Sequence, residues 1–443
     1  MKTPSLTPIC DFVARYRDQG GVRLHMPGHK GQGRWDVEGL DITEIEGADS
    51  LYQAHGIIQE SEKIASDLWG AHTYYLTEGS SQAIRAMVHL AALYARQEGK
   101  KPLVLAGRNA HKAFVSAVAM TDVEVDWLWG EDYLRCPVTP DRLDERLRET
   151  DASAVYLTSP DYLGNTLDLA ALAKVCHAHG TLLLVDNAHG AYLKWLSPSL
   201  HPIDLGADMC CDSAHKTLPA LTGCAYLHLV YGVKDYLVAA VKDTLALYGS
   251  TSPSYLLLAS LDALNGRIAE IAQGVRETAR KAAALKGSLA CRGLELVGDE
   301  PCKLTLAPKS WGYTGEEVAT YLMERGIYPE FADPDYLVLM PSGNTTPAEW
   351  DKLQEALLTL PRLEPKAERP PKMSRPMRHI GIRQAVLCPH ERIRVGQAKG
   401  RVLASVTVGC PPAVPILVSG EVVDEQSIAA MRYYGIEQVD VVK

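Results

Sequence analysis

The sequence predicts an α/β fold whose larger part is built on a mainly parallel sheet. Short, continuous apolar runs such as "ASAVYLTSP" and "GTLLLVDNAHGAY" end in polar residues, as strands buried on both faces do. Helical patterns separate these runs, and Tyr74–Ala95 reads as a strand, a Gly-Ser-Ser turn and a long apolar helix. Strands that alternate with helices indicate βαβ units, and so a parallel sheet with helices on its faces.

The same pattern recurs along the chain. "KPLVLAGRNAHKAFVSAVAM" predicts a strand, a turn at Gly107–Asn109 and a helix. Residues 137–150 and 168–178 supply the helices between later strands, and a further helix is expected over Ser61–Trp69. One long helix is predicted over Leu261–Ala290, where the chain could leave the large domain.

After this helix the pattern changes to α+β. "KLTLAP" and "YLVLMPSG" predict strands, with helices at Glu316–Arg325 and Pro347–Leu360. A segment rich in proline and charge then precedes a last unit, in which "GCPPAVPILVSGEVV" predicts a Pro-stiffened entry into an apolar strand. The predicted domains are an N-terminal arm (1–60), a large domain (61–262), a small α+β domain (263–362), a linker (363–376) and a C-terminal domain (377–443).

Composition narrows the class of protein. The 443 residues are 47% apolar and 22% charged, an ordinary globular mixture. The net charge of −9 argues against nucleic acid as the main partner, because phosphate binding needs a basic surface. No apolar run reaches the length of a membrane span, and the N-terminus lacks the apolar core of a signal peptide. The ten cysteines show no C-x-x-C pair, so reduced thiols and a cytoplasmic location are expected.

Polar residues follow several of the predicted strands. In open α/β sheets, ligands bind outside the carboxyl ends of the strands, so these residues are expected to converge on one place. The strand-end residues are Gly79, Ser80, Ser81, His111, Asp186, His189 and Lys216.

Each of these residues also has an ordinary structural interpretation. Gly79–Ser81 opens a helix, where free N–H groups suit a phosphate, although a plain serine cap is the preferred interpretation of these residues taken alone. Asp186 ends a buried strand and either serves as a structural cap or pairs with a protonated pyridine nitrogen. His111 either stacks on a ring or caps its own helix. Lys216 either forms a Schiff base with an aldehyde or is a surface lysine.

Taken together, the residues match what pyridoxal 5′-phosphate (PLP) requires. The lysine holds the aldehyde, the acid keeps the pyridine nitrogen protonated, and the helix end holds the phosphate. Ser213 and His215, which flank Lys216, can add contacts to the phosphate. The pattern therefore predicts a PLP site.

A metal site is not expected. "HMPGHKG" contains His25 and His29, but their spacing on a Pro-Gly turn is not that of a helix-face ligand pair, and no acid or cysteine completes a set. A structural or substrate-gating loop near a dimer interface is the preferred interpretation of this segment.

Several motifs, in order, carry a resemblance to the bacterial ornithine/lysine/arginine decarboxylases, which are fold-type I PLP enzymes (the aspartate aminotransferase-like fold). The likeness spans roughly Arg23–Asp262, and "PPAVPILVSGEVV" resembles the C-terminal domain of the family. The motifs are "LHMPGHKG", "DITEIEGADSLY", "TEGSSQAIRA", "RNAHKAF", "DNAHGAY" and "SAHKTLPALTG".

The resemblance implies roles for the strand-end residues. Lys216 would be the Schiff-base lysine, Asp186 the partner of the pyridine nitrogen, and His111 the residue stacked on the ring. His189 would lie near the cofactor's O3′, and Thr251 would reach the phosphate of the partner subunit in a homodimer with active sites at the interface. Ser80, Ser81, Ser213 and His215 would contact the phosphate.

The chain also departs from the family pattern. Large members begin with a wing domain, whereas this chain is expected to be a short-chain member that starts almost at the PLP domain. "QAHGII" stands where the family often has a Pro-Glu-Gly turn, and "CPPAVP" replaces its "YPPGIP". These differences bear on the substrate more than on the PLP site.

The leading hypothesis is PLP-dependent decarboxylation of arginine, lysine or ornithine to a polyamine-type amine. Two alternatives are another fold-type I reaction on an amino acid (amino transfer, elimination or cyclisation) and a catalytically silent PLP-binding protein. Glu330, Asp333 and Asp335 are candidates to hold the distal cation of the substrate, although a solvated acidic loop is the preferred interpretation of that segment.

Overall fold

The computed structural model describes residues 5–409 and 414–443. The chain forms two compact units, and each unit combines separate stretches of sequence. The first unit contains Met1–Pro102 and Leu169–Ala272, and the second contains Leu103–Asp168 and Gln273–Lys443. Among the described residues, no helix is both long enough and apolar enough to cross a bilayer.

The α-helices of the described residues are numbered in chain order. They are α1 (Pro8–Asp18), α2 (Ile57–Trp69), α3 (Ser80–Gln97), α4 (Lys112–Thr121), α5 (Pro140–Glu149), α6 (Leu169–Ala178), α7 (Ala214–Thr217), α8 (Asp235–Ala246), α9 (Tyr255–Asn265), α10 (Ile268–Cys291), α11 (Gly315–Met323), α12 (Pro347–Leu358), α13 (Ile382–Leu387) and α14 (Glu425–Tyr433).

The strands are numbered in the same way. They are β1 (Ala71–Leu76), β2 (Lys101–Gly107), β3 (Glu124–Leu128), β4 (Ala152–Thr158), β5 (Leu182–Asp186), β6 (Met209–Asp212), β7 (Ala225–Val230), β8 (Glu295–Val297), β9 (Leu304–Ala307), β10 (Phe331–Ala332), β11 (Leu337–Leu339), β12 (His390–Arg394), β13 (Thr407–Gly409), β14 (Pro415–Val418) and β15 (Gln438–Val442).

In the first unit, four strands lie in the order β1-β7-β6-β5. β5 and β6 are parallel, with Leu184 opposite Met209, whereas β7 runs antiparallel to both β6 and β1. Every residue of β5 and β6 is buried, which explains why both strands are continuous apolar runs in the sequence. Helix α3 packs on this part of the sheet and places its N-terminus beside the loops that follow the strands.

In the second unit, strands lie in the order β4-β2-β3, and β2 and β3 are parallel, with Leu103 opposite Glu124. A separate antiparallel sheet has the order β10-β11-β9-β8. Two ribbons, β12-β15 and β13-β14, belong to the C-terminal part. The predicted α/β class with a large, mostly parallel sheet is confirmed, and the domain boundaries predicted from the sequence stay a prediction.

Two local predictions differ from the structure, and a third falls mostly outside the described residues. Helix α1 was missed: it begins with a proline in its first turn and buries Ile9 and Val13 inside the expected arm. The long helix expected over Leu261–Ala290 is two helices, α9 and α10. The Pro-stiffened entry to the last apolar strand falls largely on Cys410–Ala413, outside the described residues, and the strand itself is β14.

Candidate active site

The lysine predicted to carry the cofactor follows the buried strand β6 directly. The chain leaves the sheet at Asp212 and turns through the short helix α7, in which the N–H of Lys216 donates to the carbonyl of Ser213 at 3.1 Å. This turn lifts Lys216 out of the buried layer, and its side chain is exposed. The position at a strand end that the sequence predicted is therefore the observed one.

The imidazole of His189 lies beside this lysine. Nζ of Lys216 is 3.1 Å from Nε2 of His189, a hydrogen-bonding distance. His189 is only 6% exposed and sits in the turn that follows β5, where the N–H of Gly190 donates to the carbonyl of Asn187 at 2.7 Å. Two neighbouring parallel strands thus bring an amine and an imidazole together.

Asp186 ends β5 and is 2% exposed. Its Oδ1 accepts from the N–H of Ala188 at 3.1 Å and from the thiol of Cys211 at 3.5 Å. Burial, and then the neighbouring Asp186 carboxylate, hold the pKa of the Cys211 thiol well above its ordinary value. Cys211 therefore stays a neutral donor to the carboxylate rather than a second anion.

The N-terminus of α3 supplies a cradle for an anion. Gly79 adopts φ of +70°, a conformation that favours glycine, and its N–H donates to the carbonyl of Gly223 at 2.9 Å. A Cβ at Gly79 would have no neighbour within 4 Å, so the space in front of the helix is open. The N-cap residue Gly79 has no side chain that could cap this helix, so its first N–H groups can donate to an anion.

Two serine hydroxyls meet at the same place. Oγ of Ser213 donates to Oγ of Ser80 at 2.9 Å, which joins the loop after β6 to the start of α3. Nδ1 of His215 lies 2.8 Å from the carbonyl of Cys224, which can only accept, so Nδ1 carries a proton. Ser81 begins the helix beside Ser80, whereas Thr251 is exposed in the loop between α8 and α9.

His111 belongs to the second unit, in which it forms the N-cap of α4. Its Nδ1 accepts from the N–H of Ala113 at 3.2 Å, so a neutral His111 carries its proton on Nε2. The capping interpretation is therefore confirmed. The ring is exposed, and its predicted stacking on a cofactor stays a prediction.

Sequence reasoning missed a buried network behind the lysine loop. Oδ2 of Asp212 accepts from Nε2 of His201 at 3.0 Å and from Nε2 of His228 at 3.2 Å, and Oδ1 accepts from Nδ2 of Asn187 at 2.5 Å. Burial by itself raises the pKa of Asp212, but the two imidazoles outweigh it and hold the pKa below its ordinary value. An ionised Asp212 thus ties the loop after β5 to the loop before Lys216.

The acids proposed for the distal cation do not form a solvated loop. Asp333 and Asp335 are 3% and 6% exposed, and Asp335 forms an ion pair of 2.7 Å with Lys309. Burial raises the pKa of Asp333 to about 7. Glu330 is exposed and accepts from the hydroxyl of Tyr162 at 2.9 Å. The preferred interpretation of this segment was wrong for two of the three residues.

The first unit fits the PLP group that the sequence predicted. It holds an amine beside an imidazole, a buried carboxylate at a neighbouring strand end, and an uncapped helix N-terminus with two hydroxyls. The open space at Gly79 admits an anion there, where the helix dipole favours negative charge. The amine, the carboxylate and the helix N-terminus thus match, in that order, the aldehyde, the pyridine nitrogen and the phosphate of PLP.

Comparisons with known proteins identify the family of this chain. The family described as "Orn/Lys/Arg decarboxylase, major domain" matches residues 7–288, and the family described as "Orn/Lys/Arg decarboxylase, C-terminal domain" matches residues 377–439. The chain is 29% identical to an arginine decarboxylase of Halalkalibacterium halodurans, over 98% of this chain and 94% of that protein. It is 28% identical to an arginine decarboxylase of Bacillus subtilis, over 96% of this chain and 92% of that protein.

A solved structure supports the fold. The crystal structure of a lysine decarboxylase of Francisella novicida superposes with a TM-score of 0.80, covering 99% of this chain and 81% of that one at 15% sequence identity. The predicted fold-type I architecture is confirmed by this likeness.

Proposed function

This chain belongs to the ornithine/lysine/arginine decarboxylase family, and from that premise we propose that it is a PLP-dependent decarboxylase of a basic amino acid. The family predicted from the sequence motifs is thereby confirmed, and with it the class of enzyme. The observation that carries the cofactor proposal is the pair of Lys216 and His189, 3.1 Å apart, in the same unit as the Ser80–Ser213 cradle.

Each proposed cofactor residue has a separate task. Ser80, Ser81 and Ser213, with the N–H groups that open α3, would hold the phosphate, and His215 would add a contact from Nε2. Thr251, being exposed, would reach the phosphate of a partner subunit.

Asp186 and His111 would bind the cofactor ring. Asp186 is buried and would hold a proton on the pyridine nitrogen through the carboxylate that ends β5. His111, with its proton on Nε2, would lie against the ring. When bound, PLP supplies an aldehyde that joins the substrate amine and a ring that accepts the electron pair left by the departing carboxylate.

Lys216 and His189 would handle protons. Because their nitrogens lie at a hydrogen-bonding distance, His189 can take a proton from Nζ of Lys216 and return it. The amine must lose a proton to act as a nucleophile, and the product carbon must gain one after carbon dioxide leaves. A proton that His189 takes from the amine of Lys216 can later return to that amine and be delivered to the product carbon.

Arginine is the substrate we propose first. Relatives covered almost from end to end are named arginine decarboxylases, and the net charge of −9 weakly favours a cationic ligand. The product would be agmatine, a polyamine-type amine. Lysine and ornithine are the other candidate substrates. Both differ from arginine in side-chain length and in the shape of the distal cation.

The test is gas release from purified protein with added PLP. Arginine should give agmatine and an equimolar amount of carbon dioxide, faster than lysine gives cadaverine or ornithine gives putrescine. A control with 2-oxoglutarate detects amino transfer. Keto-acid-dependent transfer, elimination or a cyclised product would leave the fold assignment intact and contradict the decarboxylase proposal. Bound PLP without turnover of any amino acid would indicate a catalytically silent protein.

A further inference from the structure

A buried ion pair links the C-terminal domain (residues 377–439) to the loop that carries His111. Nη1 and Nη2 of Arg108 donate to Oε1 and Oε2 of Glu421 at 2.6 and 2.8 Å, a bidentate pair. Arg108 is 0% exposed and precedes His111 by three residues, in the turn after β2. Both residues belong to the second unit.

Aromatic rings enclose this arginine. Cζ of Arg108 lies 4.4 Å from the ring centre of Trp129 and 5.2 Å from that of Trp127. Guanidinium groups are weakly hydrated and pair well with aromatic faces, so this packing offsets part of the cost of burying the charge. The N–H of Arg108 also donates to the carbonyl of Leu128 at 2.9 Å. The backbone and the side chain of Arg108 are therefore both held.

The turn that presents Glu421 allows little movement. Gly420 has φ of +87°, and a Cβ there would lie 2.3 Å from the carbonyl oxygen of Ile380. That position accordingly requires glycine. Oε2 of Glu421 also accepts from the N–H of Val418 at 2.8 Å, which orients the carboxylate toward Arg108.

The C-terminal domain also contacts α4, the helix that His111 caps. Nη1 of Arg383 donates to the carbonyls of Ala119 and Met120, at 2.7 and 3.3 Å, in the last turn of α4. A cation at this end of a helix is favoured by the helix dipole. Helix α13, which contains Arg383, packs against α4. His111 thus lies between two contacts of the C-terminal domain, one before it and one at the far end of its helix.

We propose that Arg108 and Glu421 are positioning residues, through which the C-terminal domain sets the place of the His111 imidazole. The inference rests on the proposed function, because it takes His111 as the residue that lies against the cofactor ring. The C-terminal domain then takes part in catalysis through the contact between Arg108 and Glu421, two residues that are 313 positions apart in the sequence.

A double substitution separates positioning from stability. Arg108→Met and Glu421→Met alone each leave a buried charge without its partner, which is strongly destabilising, whereas apolar residues at both positions restore stability in many buried pairs. The double variant should therefore recover the wild-type Tm. Its kcat should stay about tenfold to a hundredfold below wild type with KM unchanged, because small displacements of a catalytic group cost that much.

Hydrogen–deuterium exchange gives a readout that does not depend on turnover. In the full-length double variant, the peptide that covers Arg108–Phe114 should exchange faster than in wild type, while peptides from the first unit should not change. The circular dichroism of bound PLP in the visible region should also change. Wild-type kcat and wild-type exchange in a double variant of normal Tm would show that the pair is only structural and would overturn the proposal.

Two further variants keep the test decisive. If the double variant fails to fold, Arg383→Met tests the second contact without leaving a buried charge, and it should speed exchange of α4 and lower kcat. Unchanged exchange and kcat in that variant would overturn the proposal. The exposed pair Lys399–Glu425 of the same domain is the matched control, and its double methionine variant should match wild type.

The two proposals fail in different ways. If wild-type protein neither binds PLP nor releases carbon dioxide, the proposed function is wrong, yet the exchange experiment still reports whether the pair holds the segment of His111. If wild type is active and the double variant matches it in kcat and exchange, only the positioning role is wrong.

Discussion

Nζ of Lys216 lies 3.1 Å from Nε2 of His189, although 27 positions of sequence separate the two residues. The contact exists because β5 and β6 are adjacent and parallel, so the loops after both strands leave the sheet at the same edge. A lysine amine beside an imidazole can exchange a proton within the site.

Lys216 should carry the cofactor. Borohydride reduction of the PLP-loaded protein, followed by peptide mapping, should find the pyridoxyl group on Lys216. Lys216→Ala should lose about a thousandfold or more of kcat, because the residue acts as a covalent group and in proton transfer. Lys174→Ala, on the exposed face of α6, is the control and should keep full activity. A label on any other lysine would contradict the assignment.

Asp186→Ala should weaken PLP binding and lower kcat by at least about a hundredfold, because the ring nitrogen would lose the group that keeps it protonated. Titration of the visible absorbance with PLP measures the affinity, and carbon dioxide release measures kcat. Asp151→Ala, an exposed acid after α5, serves as the control. Unchanged turnover in Asp186→Ala would show that another group pairs with the nitrogen.

Ser80→Ala and Ser213→Ala should each weaken PLP binding by roughly threefold to tenfold, the effect of losing about one hydrogen bond. Because the two hydroxyls are 2.9 Å apart, their effects should not add in the double variant. Binding of pyridoxal, which lacks the phosphate, should change little in any of them. Ser288→Ala on α10 is the control. Equal losses for PLP and pyridoxal would place the serines away from the phosphate.

Asp333 should make the protein less stable as pH rises. Burial raises its pKa to about 7, so the folded state binds a proton that the unfolded state releases near pH 4. Its stabilising effect is full below about pH 4 and is lost as the pH rises through about 7, a change of roughly 4 kcal/mol at about 1.4 kcal/mol per pKa unit. Asp333→Asn should therefore reduce the fall in Tm between about pH 5 and about pH 8. Asp351→Asn, at an exposed residue of α12, is the control and should leave the fall in Tm unchanged. If Asp333→Asn shows the same fall in Tm as wild type, Asp333 is not the group responsible.

The protein should form at least a homodimer through its N-terminal arm. Val22, Leu24 and Met26 are 87%, 89% and 64% exposed, an apolar surface that a partner subunit would cover. Leu24→Asp should shift sedimentation toward the monomer and lower activity in parallel, because Thr251 is proposed to reach the phosphate bound by the partner subunit. Leu363→Asp, at another exposed apolar residue, should do neither. A fully active wild-type monomer would contradict the proposal.

Local sequence predicted the strand–turn–helix units around the site well. The apolar runs of β5 and β6 are buried throughout, and Asp186 and Lys216 follow them as expected. Helix α1 was missed although its sequence carries a helical pattern, in which Ile9 and Val13, like Phe12 and Tyr16, are four residues apart. The polar and glycine-rich residues that follow led to residues 1–60 being interpreted as one arm, and only tertiary packing shows that Ile9 and Val13 are buried.

What the sequence by itself determined was the order of strands and helices, the polar residues at strand ends and the family. Only the tertiary structure decided which distant residues meet. Arg108 and Glu421 are separated by 313 positions, and His201, Asp212 and His228 form one buried network from three separate segments. Charged and imidazole side chains are usually exposed, so no local pattern marks those that become buried. Their burial is stable because each finds its partner in the folded chain, and that pairing is a property of the three-dimensional arrangement.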